Sequence, residues 1–166
     1  MKKKWLLPAA AALCALSLIF MALALAFHQK QQTTTFTPPS FDPAAVAGTP
    51  TVDASLGWSE IYQEGMAFKA SVCGNVITDG SSAVVYFTNA EGFDVWLKLR
   101  ILNEDGEILG ETGLLKPGEY VKSVALTADV TDGETIKLKI MAYEPDTYYS
   151  AGSVSLKTTI SKGELP

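Results

Sequence analysis

The sequence predicts a mainly β fold, an antiparallel immunoglobulin-like β-sandwich preceded by a single N-terminal transmembrane helix and a Pro/Thr-rich linker. Three observations predict it. Residues 5–27 are apolar or small and carry no charge, directly behind Lys2, Lys3 and Lys4. Beyond Ala67 the apolar residues recur every second position, the period of a half-buried strand. Between those runs stand Gly- and Pro-containing turn pairs, among them Asp79-Gly80, Glu91-Gly92, Asp105-Gly106, Pro117-Gly118 and Asp132-Gly133.

At about 1.5 Å per residue, an apolar helix over 5–27 reaches roughly 35 Å, enough to cross a hydrocarbon core of about 30 Å with some tilt. Residues 1–4 are then a cytoplasmic tail. Basic residues beside a first span stay on the cytoplasmic side, which puts the C-terminal bulk outside the cell membrane. Pro8 falls in the first turn, where its missing N–H costs little, and Trp5 sits where interfacial aromatics do. The competing reading is a signal peptide cut after Ala24-Leu25-Ala26, against which stands an apolar run longer than the ~7–15 residues of such a segment. Cys14 has Leu13 before it, where a lipid-modified cysteine wants a small residue, and reads as a membrane-facing hydrophobe.

Residues 28–50 are rich in Thr, Gln and Pro and show no apolar period, so they read as an extended linker. The remaining 51–166 form one extracytoplasmic domain. Within it Trp58, Ile61 and Tyr62 fall at helical spacing over Val52 to Met66, which predicts a short helix or turn leading into the domain. The strands follow. Asp94 to Asn103 puts Val95, Leu97, Leu99 and Ile101 on one face and Trp96, Lys98 and Arg100 on the other. Glu134 to Tyr143 does the same with Ile136, Leu138 and Ile140, and Gly152 to Ile160 with Val154, Leu156 and Ile160. Further strands are expected at Ala67–Cys73, Ala83–Asn89, Glu107–Leu114 and Tyr120–Leu126. Seven or so short strands at intervals of ~8–12 residues are the pattern of a sandwich.

All 18 acidic residues lie at or beyond Asp42, whereas Lys2, Lys3, Lys4 and Lys30 precede it, so the exported part holds 9 basic against 18 acidic residues, net −9. That charge repels phosphate backbones and argues against nucleic acid as a partner. Cys73 is the only cysteine beyond the apolar run, and no disulfide closes within the domain.

Chemistry is sparse. The one histidine, His28, stands at the membrane boundary, so neither a His-based nucleophilic triad nor a His/Cys zinc site can be assembled. Setting Gly106 or Gly133 at the sixth position of a calcium loop puts Ile101 or Ala128 where the first carboxylate must be. No motif fixes two carboxylates at the ~5–9 Å of a glycosidase, and no Gly-rich phosphate loop follows a strand. The expected protein is no enzyme and takes no metal or cofactor. What remains is aromatic. Trp96 leaves the polar face of its strand, and Tyr86, Tyr143, Tyr148 and Tyr149 flank it if their strands are neighbours, a surface suited to a protein partner or to stacking on sugars. The structural counter-reading has Trp96 and Tyr143 covering the sheet under the linker or the Trp58 segment. Lys98, Arg100, Lys137 and Lys139 form a solvated basic stripe able to receive an acidic partner.

Phe41-Asp-Pro-Ala-Ala-Val-Ala-Gly-Thr-Pro50, Glu64-Gly-Met-Ala-Phe68, Thr88-Asn89, Asp105-Gly-Glu-Ile-Leu109, Gly113-Leu-Leu-Lys-Pro-Gly118 and Ala142-Tyr-Glu-Pro-Asp-Thr147 followed by Gly152, behind a basic and apolar start, give the chain a recognisable outline. It resembles a family of small membrane-anchored β-sandwich proteins exported by Gram-positive bacteria of the Firmicutes type. The resemblance runs over nearly the whole chain but rests on turn and strand signatures; it implies fold and location and no catalytic or ligand residue. The function expected is an accessory or binding module working on another envelope protein. The alternatives are a cell-wall carbohydrate-binding module using the aromatics, and a subunit of a surface filament, secretion or conjugation apparatus joined through an edge strand.

Overall fold

The computed structural model describes residues 36–166 together with Ser17, Phe20 and Met21. The tail, most of the apolar run and residues 28–35 lie outside the described residues. Among those described, no helix is long and apolar enough to cross a membrane. The chain divides into two compact units, of which the second, Pro38–Pro166, is the β body.

Ten strands build it: β1 (Val46–Ala47), β2 (Trp58–Ile61), β3 (Ala70–Cys73), β4 (Val76–Thr78), β5 (Ser82–Asn89), β6 (Trp96–Leu102), β7 (Ile108–Glu111), β8 (Glu119–Ala125), β9 (Glu134–Tyr143) and β10 (Ser150–Lys162). Their hydrogen bonding runs β1-β8-β5-β4-β10-β9-β6-β7, with β3 also on β5 and β2 on β3. Every pair is antiparallel except β4 with β10, which run parallel over Val76–Thr78. The sheet curls until its last strand meets an earlier one, since the Thr127 N–H beyond β8 donates to the Leu109 carbonyl of β7 at 2.7 Å. Gly110 makes that approach possible: a Cβ there would stand 2.5 Å from the Ala125 carbonyl oxygen.

The inward rows follow from the period of two. Leu97, Leu99 and Ile101 of β6 and Ile136, Leu138 and Ile140 of β9 are buried in one core enclosed by the curl. A smaller cluster forms on the other face of β3 and β5, where Leu56, Cys73 and Val84 are covered by Trp58 and Tyr86. The mainly β expectation therefore holds in a coarse, sandwich-like form, with one continuous hydrogen-bonded sheet linking the layers.

Two local expectations change, and one strand appears that was not expected. The Val52 to Met66 segment is one turn of 3-10 helix, Ala54–Leu56, followed by strand β2. Gly57 at φ +60 stops the helix, and Trp58 to Ile61 then pair with Cys73 to Ala70. Residues 38–50, read as linker, belong to the β body: Phe41 bridges to Leu114 and β1 pairs with β8. Val76–Thr78 forms a strand of its own, too short to show a period.

Candidate functional site

Trp96 opens β6 and lies directly opposite Tyr143, which in turn lies opposite Ser150. Side chains of directly paired residues share a face, so Trp96 and Tyr143 stand side by side on the outer surface. Phe41 sets its edge against Trp96 with ring centroids 4.9 Å apart at 78°, and Tyr148 does so from the loop after β9 at 5.1 Å and 62°. Lys116 holds its ammonium 4.8 Å from the Phe41 ring centre, within cation–π range.

The loop Glu144–Tyr149 completes the site. The Tyr148 N–H donates to the Glu144 carbonyl at 3.0 Å and the Glu144 N–H to the Tyr149 carbonyl at 2.8 Å, closing a tight turn. Two non-glycine residues in it are left-handed, Asp146 at φ +63 and Tyr148 at φ +57. Such backbone costs of order 1–3 kcal/mol per residue where nothing compensates, and persists where surrounding contacts over-determine it. For Tyr148 the Trp96 ring is one such contact. Tyr149, next in the chain, is 71% exposed.

Four of the five aromatic candidates thus gather at one end of the sheet, Trp96, Tyr143, Tyr148 and Tyr149. The fifth, Tyr86, belongs to the smaller cluster. It sits at the irregularity of β5 between Val84 and Phe87 with φ +41, and its carbonyl accepts from the Trp58 indole N–H at 2.8 Å. Phe41 is the residue that sequence reasoning missed. Its signal was an aromatic side chain between Pro39 and Pro43, which an exposed linker has no use for.

The basic stripe is more structured than a solvated face. Lys98 is buried, and it donates to Glu111 Oε1 at 2.8 Å while Arg100 Nε donates to Oε2 at 2.7 Å. Burial by itself raises the Glu111 pKa, but the hydrogen bonds and charges of Lys98 and Arg100 outweigh it and hold the carboxyl below its ordinary 4.5. Cys73 is fully buried, and desolvation pushes its thiol from 9.0 to about 11. Among the described residues no group of three His, Cys, Asp or Glu side chains is placed to hold a metal ion.

Neither a family model nor a curated protein matches the chain. Among solved structures it is similar to the crystal structure of CopC from Methylosinus trichosporium OB3b, at 16% identity and a TM-score of 0.34, over 56% of this chain and 89% of that one. That likeness is too distant to transfer a ligand or an activity.

Proposed function

We propose that this chain is a non-catalytic binding module, anchored in the cell membrane by residues 5–27, whose extracytoplasmic body of immunoglobulin-like outline presents the Glu144–Tyr149 loop to another envelope protein. The observation that carries the reading is the bracing of that loop. A left-handed Tyr148 is clamped on Trp96 while its neighbour Tyr149 projects 71% exposed. A pre-ordered aromatic side chain contributes large contact area at small entropic cost, as in protein-binding loops generally. Sugar stacking has less support, because Phe41 and Tyr148 both meet Trp96 edge-on. A photo-crosslinking residue at Tyr149 in intact cells should give one dominant protein adduct, lost on Trp96→Ala and absent from the same probe at Tyr86. A Tyr149 probe that yields no protein adduct rejects the reading.

A second reading, a subunit of a surface assembly, has one observation in its favour. Residues 150–159 of β10 pair with β9 alone, so along this stretch the strand keeps an edge without a ladder among the described residues. Leu156, Lys157 and Thr158 share a cleft with Ser59, Ile61 and Gly74, and the part of the edge before them is able to accept a neighbour's strand.

A further inference from the structure

The outer face of β7, β6, β9 and β10 is a basic island on an acidic body. Register places Glu111, Arg100, Lys139 and Ser155 in one cross-strand row and Ile108, Leu102, Lys137 and Lys157 in the next. Lys98 lies in the row above, beside Met141. Five of the nine basic residues of the body therefore share this face with two acids, Glu111 and Glu104, the latter paired with Lys157 at 3.0 Å. The face is net +3 while the rest of the body, with 4 basic and 16 acidic residues, is −12.

Two features suit the island to an anion. Arg100 stands directly opposite Lys139, and Lys137 directly opposite Lys157. Arg100 is met by Glu111 and Lys157 by Glu104, so Lys139 and Lys137 are the members of the two pairs without an ion pair among the described residues, and an external anion relieves the like-charge opposition they leave. Between the second pair and the β6–β7 turn lies a cleft of about 220 Å³, lined by Asn103, Glu104, Thr135 and Ile136 with the two lysines. Ser153 and Ser155, both exposed, add hydroxyl donors along the same face.

We infer that this face docks on an anionic phospholipid surface. The inference rests on the anchor of the proposed function, which makes a bilayer the body's permanent neighbour. The apolar run ends at Phe27 and the β body starts at Pro38, a tether of ten residues spanning roughly 35 Å at most. The body's first aromatic, Phe41, packs on Trp96 at the upper end of this very face. Aromatic rings beside lysines are the composition of membrane–water interfaces, and anionic headgroups attract each nearby lysine. Docked so, the sheet fixes the direction in which the Glu144–Tyr149 loop points.

The test uses the full chain reconstituted in vesicles of phosphatidylcholine alone or with 30% phosphatidylglycerol (about that fraction gives a strong surface potential), with lysine acetylation rates read by mass spectrometry. Lys137, Lys139 and Lys157 should react roughly threefold to tenfold more slowly in the anionic vesicles. Lys69 and Lys122 should be unchanged, and 0.5 M salt (a Debye length of roughly 4 Å) should abolish the difference. Lys137→Glu/Lys139→Glu should expose Lys157 in both vesicles, with Lys137→Gln/Lys139→Gln giving a partial effect and a thermal melt confirming that each variant is folded. Equal rates in the two vesicles overturn the docking, as does protection that appears only on adding an acidic protein. Failure of the chain to float with the vesicles overturns the anchor as well, so the two failures are distinct.

Discussion

Gly113 and Asp42, far apart in the chain, are in contact: the Gly113 N–H donates to Asp42 Oδ2 at 2.8 Å, and a Cβ on Gly113 would stand 2.5 Å from the Asp42 nitrogen. Flanking bonds from Asp42 N–H to the Leu114 carbonyl and from Leu114 N–H to the Ser40 carbonyl, both 2.9 Å, complete the clasp. This is how the segment ahead of β1 is held so that Phe41 reaches Trp96.

Gly113→Ala should break the clasp, because the three atoms it would meet, Asp42 N, Asp42 Cα and Phe41 C, are all backbone and cannot rotate away. A loss of ~1–3 kcal/mol is expected. Thermal unfolding measures it, and the Phe41–Asp42 amides should lose hydrogen-exchange protection before the rest of the sheet does. A variant with wild-type melting and wild-type exchange would mean that the segment is not held by this contact.

Trp96→Ala removes both edge-to-face contacts, each worth ~0.5–1.5 kcal/mol beyond area burial. With its brace gone, the left-handed Tyr148 relaxes. The Tyr148 amide, bonded to the Glu144 carbonyl, should exchange at least tenfold faster (a loss of about 1.4 kcal/mol), whereas Trp96→Phe should keep part of the protection. Unchanged exchange in the alanine variant would show that the loop holds itself.

Glu111→Gln leaves the buried Lys98 ammonium without its anion and should cost ~1–3 kcal/mol. The pH dependence has a definite sign. A carboxyl whose pKa is depressed in the folded state contributes stability that is present above its unfolded pKa near 4.5 and is lost as pH falls through the lower folded value. Denaturant midpoints of the wild type should therefore drop below pH 4.5 (the ordinary value for this carboxyl) more steeply than those of the variant. Parallel curves would count against the coupling.

Cys73 titrates in the opposite range. Its thiol keeps the proton up to about pH 11 in the folded protein and loses it near 9 when unfolded, so the folded state binds more protons in between. Stability should be complete below pH 9.0 and fall by up to about 3 kcal/mol towards pH 11. In a Cys14→Ser background the native protein should resist Ellman's reagent at pH 8 and react only with denaturant. Rapid labelling of the native protein would show an accessible thiolate.

The period of two was legible in the sequence wherever a strand is long. Leu97, Leu99 and Ile101, and Ile136, Leu138 and Ile140, are inward as their alternation requires, and the Gly turns separate the strands because only glycine takes φ > 0 without cost. The charge asymmetry and the gathering of Trp96 with Tyr143 were equally open to inspection, given neighbouring strands.

Alternation states which face of a strand is apolar, and it is silent about which strand lies beside it. Tertiary structure alone decided that Phe41 caps Trp96, that Val46–Ala47 leave the linker for β8, that Trp58 runs as a strand against Cys73, and that β10 returns parallel to β4. It also buried Lys98, which alternation assigns to the polar face, by drawing Glu111 over it. Each of these depends on contacts between residues distant in the chain, whose free energy comes from shape and hydrogen bonding across the closed sheet, and local spacing carries no record of them.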